Sequence, residues 1–301
     1  MKIRNPFLVI AWSFGLFILM HTWQYLGTVI ASFVSGSSFE SIISGKYENS
    51  NIILVMGLVA AFVGLPMVYI ITKYLWKRDF KWMCLNLNLK YFFTGILLGV
   101  ILPIIIILIL LIMGNATVSE LPDRYSVMNV FTIVIGYLGL SLFTAVAEET
   151  VFRAIVVREI AAKWNWIVAT FIGGIYFGIV HLFSINNISI LDALWIIFSA
   201  TIASSLFVAM YIRSKSLWLP IGFHAGWNFC LAAIIGTKMS GKESGFGIFN
   251  FKLSGNYLMT GGQFGVEASV IPLFIFIVIG VLLIKFSKTG KVSLLSNKSN
   301  D

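Results

Sequence analysis

Six residues in the middle and second half of the chain have the types and spacing to split an amide with water. Two carboxylates and a guanidinium stand in "AVAEETVFRAI" (Glu148, Glu149, Arg153), an imidazole closes "FGIVH" (His181, after Phe177), and an imidazole and a carboxamide share "HAGWN" (His224, Asn228). Amide hydrolysis needs a base for water, donors for the oxyanion and an acid for the leaving amine. Glu148 and His181 are of the type to serve as base. His224 and Asn228 are four apart, on one helical face, and can present two N–H donors to the oxyanion. Glu149 and Arg153 are also i,i+4, which predicts an ion pair and leaves Glu148, about 100° further round the helix, free. Phe177, one turn before His181, can shape the pocket beside it.

These charges interrupt apolar sequence. With 59% hydrophobic and 11% charged residues, the chain reads as an all-α polytopic membrane protein. A charge at the bilayer centre costs about 2.5–3.5 kcal/mol on insertion scales, so each needs a reason. About eight apolar segments are long enough to cross, near 7–34, 51–76, 91–113, 127–162, 165–186, 190–213, 217–236 and 267–286. They form one expected transmembrane bundle, residues 1–286, with a peptidase core at 127–236 and a polar, disordered tail at 287–301. Residues 36–50 and 236–264 read as connectors able to cover a cavity.

The net charge of +9 follows topology. With the N-terminus inside, 16 of the 21 Lys and Arg residues fall in inner segments and 5 in outer loops, the asymmetry of an even number of crossings with both termini cytoplasmic. No basic-aromatic pattern points to nucleic acid. The first segment is expected to be a retained helix, although Lys2, Arg4 and Val29-Ile30-Ala31 resemble parts of a signal peptide. Cys84 and Cys230 imply neither a disulfide framework nor a metal cluster.

Residues 148–162 contain neither Pro nor Gly, so the fourth helix is expected to run on to a turn at Lys163-Trp164-Asn165. The next helix returns antiparallel. Glu148 is 16 residues before Trp164 and His181 is 17 after it, which levels them to within about 1.5 Å.

"EETVFR", "FGIVH" and "HAGWN", in this order and in three separate helices, resemble the three motifs of the CPBP family of intramembrane peptidases, which includes the CAAX prenyl endopeptidases and bacterial Abi and bacteriocin-processing proteins. The resemblance covers about residues 127–236. It implies an intramembrane endopeptidase in which Glu148 and His181 activate water, His224 and Asn228 hold the oxyanion, and Glu149 and Arg153 support them. The expected substrate is a membrane-associated peptide or protein, such as a bacteriocin or signalling-peptide precursor, met within the bilayer of a bacterial cell membrane.

Two alternatives stay open. Glu148, His181 and His224 have the ligand count of a hydrolytic zinc site, although such a site still needs a separate base, so a metal-free reaction is the expectation. A non-catalytic scaffold or bacteriocin immunity protein of the same fold is the other. His21, without a partner motif, reads as structural or interfacial, in an aromatic belt with Trp12 and Trp23. Asp192 reads as an N-terminal helix charge. No GxGD, HExxH or GxSxG pattern is present.

Overall fold

The computed structural model describes residues 5–43, 49–118, 125–185, 187–242 and 246–285. The tail at 287–301 lies outside the described residues. Among the described residues, six helical stretches are long and apolar enough to cross a membrane: Pro6–Ser35, Asn51–Trp76, Leu89–Ile112, Val127–Lys163, Ile190–Ser214 and Trp218–Ile235. Two shorter apolar helices, Trp166–Leu182 and Val270–Lys285, complete the bundle. These eight match the eight apolar segments, because a run of about 20 apolar residues can satisfy its backbone in lipid only as a helix.

The first stretch is divided into α1 (Pro6–Met20) and α2 (Trp23–Ser35) by a turn at His21-Thr22. The others are α3 (Asn51–Trp76), α4 (Leu89–Ile112), α5 (Val127–Lys163), α6 (Trp166–Leu182), α7 (Ile190–Ser214), α8 (Trp218–Ile235) and α9 (Val270–Lys285). A short antiparallel ribbon pairs β1 (Ala116–Val118) with β2 (Phe251–Leu253), joining the end of α4 to the 236–264 connector.

Helix α5 starts at a capping box between Ser126 and Asn129. It continues through the charged motif without a break, changing to a π-helical path over Glu149–Val157. The i→i+5 pattern is rare and concentrates at functional sites. The helix stops at Trp164, whose φ −115° and ψ −94° are not helical. Asn165 then caps α6 by accepting from the Val168 N–H at 2.9 Å. The expected hairpin is therefore formed.

Helix α8 is held against α4 by backbone contact. A Cβ on Gly222 would lie 2.1 Å from the Phe92 carbonyl oxygen, and one on Gly99 would lie 2.2 Å from the Phe223 carbonyl oxygen. No side chain fits there. Lipid supplies no hydrophobic drive between helices, so small residues that admit close backbone packing fix the pair. This close approach sets the depth of His224 and Asn228.

Residues 77–88 fold against one end of the bundle. Arg78 donates from Nε to Glu159 at 2.9 Å, Leu217 N–H donates to the Cys84 carbonyl at 2.9 Å, and Trp218 Nε1 donates to the Leu85 carbonyl at 3.0 Å. Trp82 lies between two cations, 4.4 Å from Arg78 and 4.6 Å from Arg158. The terminal part of α5 is thereby anchored to α8.

Candidate active site

Glu149 and Arg153 are fully buried, and Arg153 Nη1 is 3.1 Å from Glu149 Oε1. Isolated burial of that guanidinium would be prohibitive, and the surroundings compensate with this carboxylate and with aromatic faces. Phe177 and Phe207 place their ring centroids 4.4 and 4.6 Å from Arg153 Cζ, a cation–π arrangement in a dry site. Phe177 therefore supports the site through Arg153 as well as through His181.

The same Glu149 oxygen is 2.9 Å from His224 Nδ1. A carboxylate only accepts, so Nδ1 carries the proton and Nε2 is the nitrogen left for chemistry. Nε2 lies 3.8 Å from Glu148 Oε2, too far for a direct hydrogen bond. One water placed about 2.8 Å from each atom would span that gap. The imidazole stacks on Phe207 at 5.2 Å and 18°. Arg153, Glu149, His224 and Glu148 thus form one buried chain. Glu148 Oε2 and Glu149 Oε2 have no hydrogen-bond partner among the described residues.

His181 Nδ1 is 2.8 Å from the Phe177 carbonyl oxygen and donates to it, which leaves Nε2 as an acceptor. Phe177 packs edge-on against Phe152 at 4.9 Å. Phe152 is four residues after Glu148 and Phe177 four residues before His181, so the antiparallel hairpin carries Glu148 and His181 to one level. His181 and His224 line one cavity, about 480 Å³ including its open mouth, with Phe207, Trp227, Ser240 and Glu267 in its wall. Asn228 is buried one turn beyond His224.

Sequence reasoning paired Glu149 with Arg153 but missed its grip on His224, which occupies Nδ1 and leaves Nε2 as the nitrogen of that ring able to reach an oxyanion. It also missed Glu267. That carboxylate accepts from Trp227 Nε1 at 3.1 Å and from Ser240 Oγ at 3.1 Å and N–H, tying the 236–264 connector to the third motif. Nothing local distinguishes Glu267 in sequence. The aromatic-belt reading needs correction: Trp23 is 3% exposed and packs on Phe143 at 4.8 Å, and His21 faces the core beside it, because α1 is clasped by α5 and α6.

Among the described residues, no group of three or more His, Cys, Asp and Glu side chains is gathered closely enough to hold a metal ion.

Fold and site define a class first: a multi-pass helical membrane protein with a buried glutamate–histidine centre at a cavity. The comparison with families then narrows it. Residues 130–230 match the family of type II CAAX prenyl endopeptidases, Rce1-like. The match falls on α5 to α8, the helices that carry all three motifs, and bears out the resemblance read from them. No curated protein matches the chain.

Proposed function

We propose that this protein is an intramembrane endopeptidase that hydrolyses a peptide bond in a membrane-associated peptide or protein. The observation that carries the reading is the buried chain Arg153–Glu149–His224–Glu148 beside a cavity that His181 also lines.

Glu148 takes a proton from water while the bare Nε2 of His181 accepts the second hydrogen bond of that water. The resulting hydroxide adds to the substrate carbonyl. His224, protonated on both nitrogens, keeps Nδ1–H on Glu149 and donates Nε2–H to the oxyanion, with the Asn228 amide as the other donor. When the tetrahedral intermediate collapses the C–N bond breaks, and Glu148 hands its proton to the leaving amine. Glu149 orients the ring and stabilises the imidazolium, as the aspartate of a hydrolase triad does. Arg153 offsets the charge of Glu149. No step needs a metal.

The substrate in this reading is a membrane-bound precursor, such as a bacteriocin or signalling peptide, cut in a bacterial cell membrane. The charge asymmetry supports cytoplasmic termini. The test compares the secreted and membrane peptides of cells producing the wild type or Glu148→Gln. Fragments present only with the wild type are expected, and identical peptide sets would overturn the reading in favour of a scaffold.

A further inference from the structure

The turn at His21-Thr22 interrupts the first spanning stretch about 22 Å along its axis from Pro6, well inside a hydrocarbon core of about 30 Å. The turn keeps helical dihedrals, with His21 at φ −94° and ψ −1° and Thr22 at φ −62° and ψ −21°, and tightens to i→i+3 bonds such as that from the Gln24 N–H to the His21 carbonyl at 3.0 Å. His21 is half-buried at this break, and its backbone N–H donates to the Ile18 carbonyl at 3.0 Å.

Its side chain repeats the arrangement of His181. "FILMH" (Phe17 to His21) has the spacing of "FGIVH". His21 Nδ1 is 2.8 Å from the Phe17 carbonyl oxygen, as His181 Nδ1 is 2.8 Å from that of Phe177. In both pairs the ring centroids are 4.3 Å apart. Both phenylalanines pack against one residue of α5, Phe152, at 5.6 Å for Phe17 and 4.9 Å for Phe177. His21 also meets Phe143 edge-on at 5.3 Å. Its contacts thus bracket Glu148 along α5, at Phe143 before it and, through Phe17, at Phe152 after it. Glu148 and Lys242 are both within electrostatic range of His21. Two imidazoles, each with Nδ1–H donated to a carbonyl and Nε2 bare, therefore flank the same stretch of α5.

We propose that His21 is a third imidazole of the active site, a water-positioning residue whose bare Nε2 accepts a hydrogen bond from the water held by Glu148. The first helix, which lies outside the family match, then completes the site. The inference rests on the hydrolytic reading above. The water offers one hydrogen to Glu148 and the other to an imidazole, and the bare Nε2 of His21 is an acceptor for that second hydrogen alternative to the Nε2 of His181. No proton is gained or lost by His21 in this role.

Two substitutions separate this role from a purely structural one. His21→Gln keeps an acceptor near the position of Nε2 and gives up the bond to the Phe17 carbonyl. His21→Asn keeps a donor near Nδ1 and gives up Nε2. Release of the Glu148-dependent product peptides, per folded protein, is expected to fall about 10- to 100-fold in His21→Asn through kcat with KM unchanged, and to stay within about threefold of wild type in His21→Gln. The reverse order, or wild-type rates in both, overturns the proposal. A second measurement does not need turnover. The chain has three histidines, so ¹⁵N-labelled imidazole signals can be assigned by single substitution. The His21 Nε2 signal is expected to move in Glu148→Gln relative to wild type, and an unmoved signal overturns the proposal. If no Glu148-dependent peptide exists the hydrolytic reading fails, and the imidazole signal alone then decides whether His21 shares the Glu148 site.

Discussion

Helix α5 carries two buried arginines five residues apart, and their surroundings differ in kind. Arg158 donates to Tyr211 Oη at 3.0 Å and to Cys84 Sγ at 3.2 Å, and Tyr211 passes its own proton to the Met83 carbonyl at 3.1 Å. Next to it Glu159 is gripped by Arg78. Arg153 has one carboxylate and two aromatic faces, and its guanidinium makes no aligned hydrogen bond. The two carboxylates beside it each keep an oxygen without a partner. A buried network whose groups are bonded fixes architecture, whereas one left short of partners holds hydrogen-bonding capacity for something else. By that criterion the Arg158 cluster docks the 77–88 segment, and the Arg153 cluster keeps hydrogen-bonding capacity for the proposed reaction.

The sharpest break of this contrast is Glu148→Gln. Product formation is expected to fall by about 10²- to 10⁴-fold, the range of a lost general base, while the unfolding curve in detergent overlays that of wild type. A full rate from that variant with a purified substrate would remove Glu148 from the mechanism. Next in size, Arg153→Met should lower stability by about 3–5 kcal/mol, because it leaves Glu149 as an uncompensated buried charge. Adding Glu149→Gln should restore much of that stability without restoring turnover. Unfolding midpoints of the single and double variants check both halves, and an unaltered midpoint in Arg153→Met would mean the pair carries no stability.

Asn228→Ala comes third. An oxyanion donor predicts a loss in kcat of about 10²- to 10³-fold with little change in KM. A helix tie predicts instead a stability loss of about 0.6–1.7 kcal/mol with normal turnover of the folded protein. Kinetics normalised to folded protein decide, and a kcat within about twofold of wild type leaves Asn228 architectural. Tyr211→Phe tests the other cluster. It should cost about 0.6–1.7 kcal/mol through the lost Arg158 and Met83 bonds and leave kcat per folded molecule unchanged. A fall in kcat would show that the two clusters are coupled along α5. The smallest expected effect is none: strong chelators should leave activity intact, and loss of activity restored by zinc would replace the metal-free mechanism.

The eight apolar segments could be read directly because bilayer thickness dictates helix length whatever the neighbours are. The hairpin could be read because a fixed rise per residue converts counting into height: 16 residues back and 17 forward from Trp164. The Glu149–Arg153 pair could be read because i,i+4 contacts lie within one helix. What links separate helices could not. Glu149 meets His224 across 75 residues, and Arg78 meets Glu159 across 81. His21 repeats the Phe177–His181 spacing in plain view. Its contact with Phe143 and, through Phe17, with Phe152 still depends on how α1 packs against α5, and Glu267 enters the cavity wall only because the 236–264 connector folds back onto Trp227. Sequence by itself determined the span number, the motif residues and their depth, since length and periodicity are local properties. Tertiary structure decided which nitrogen of His224 remains available and that this imidazole stands 3.8 Å from Glu148, since both depend on rotations and close backbone approaches between helices that no single segment encodes.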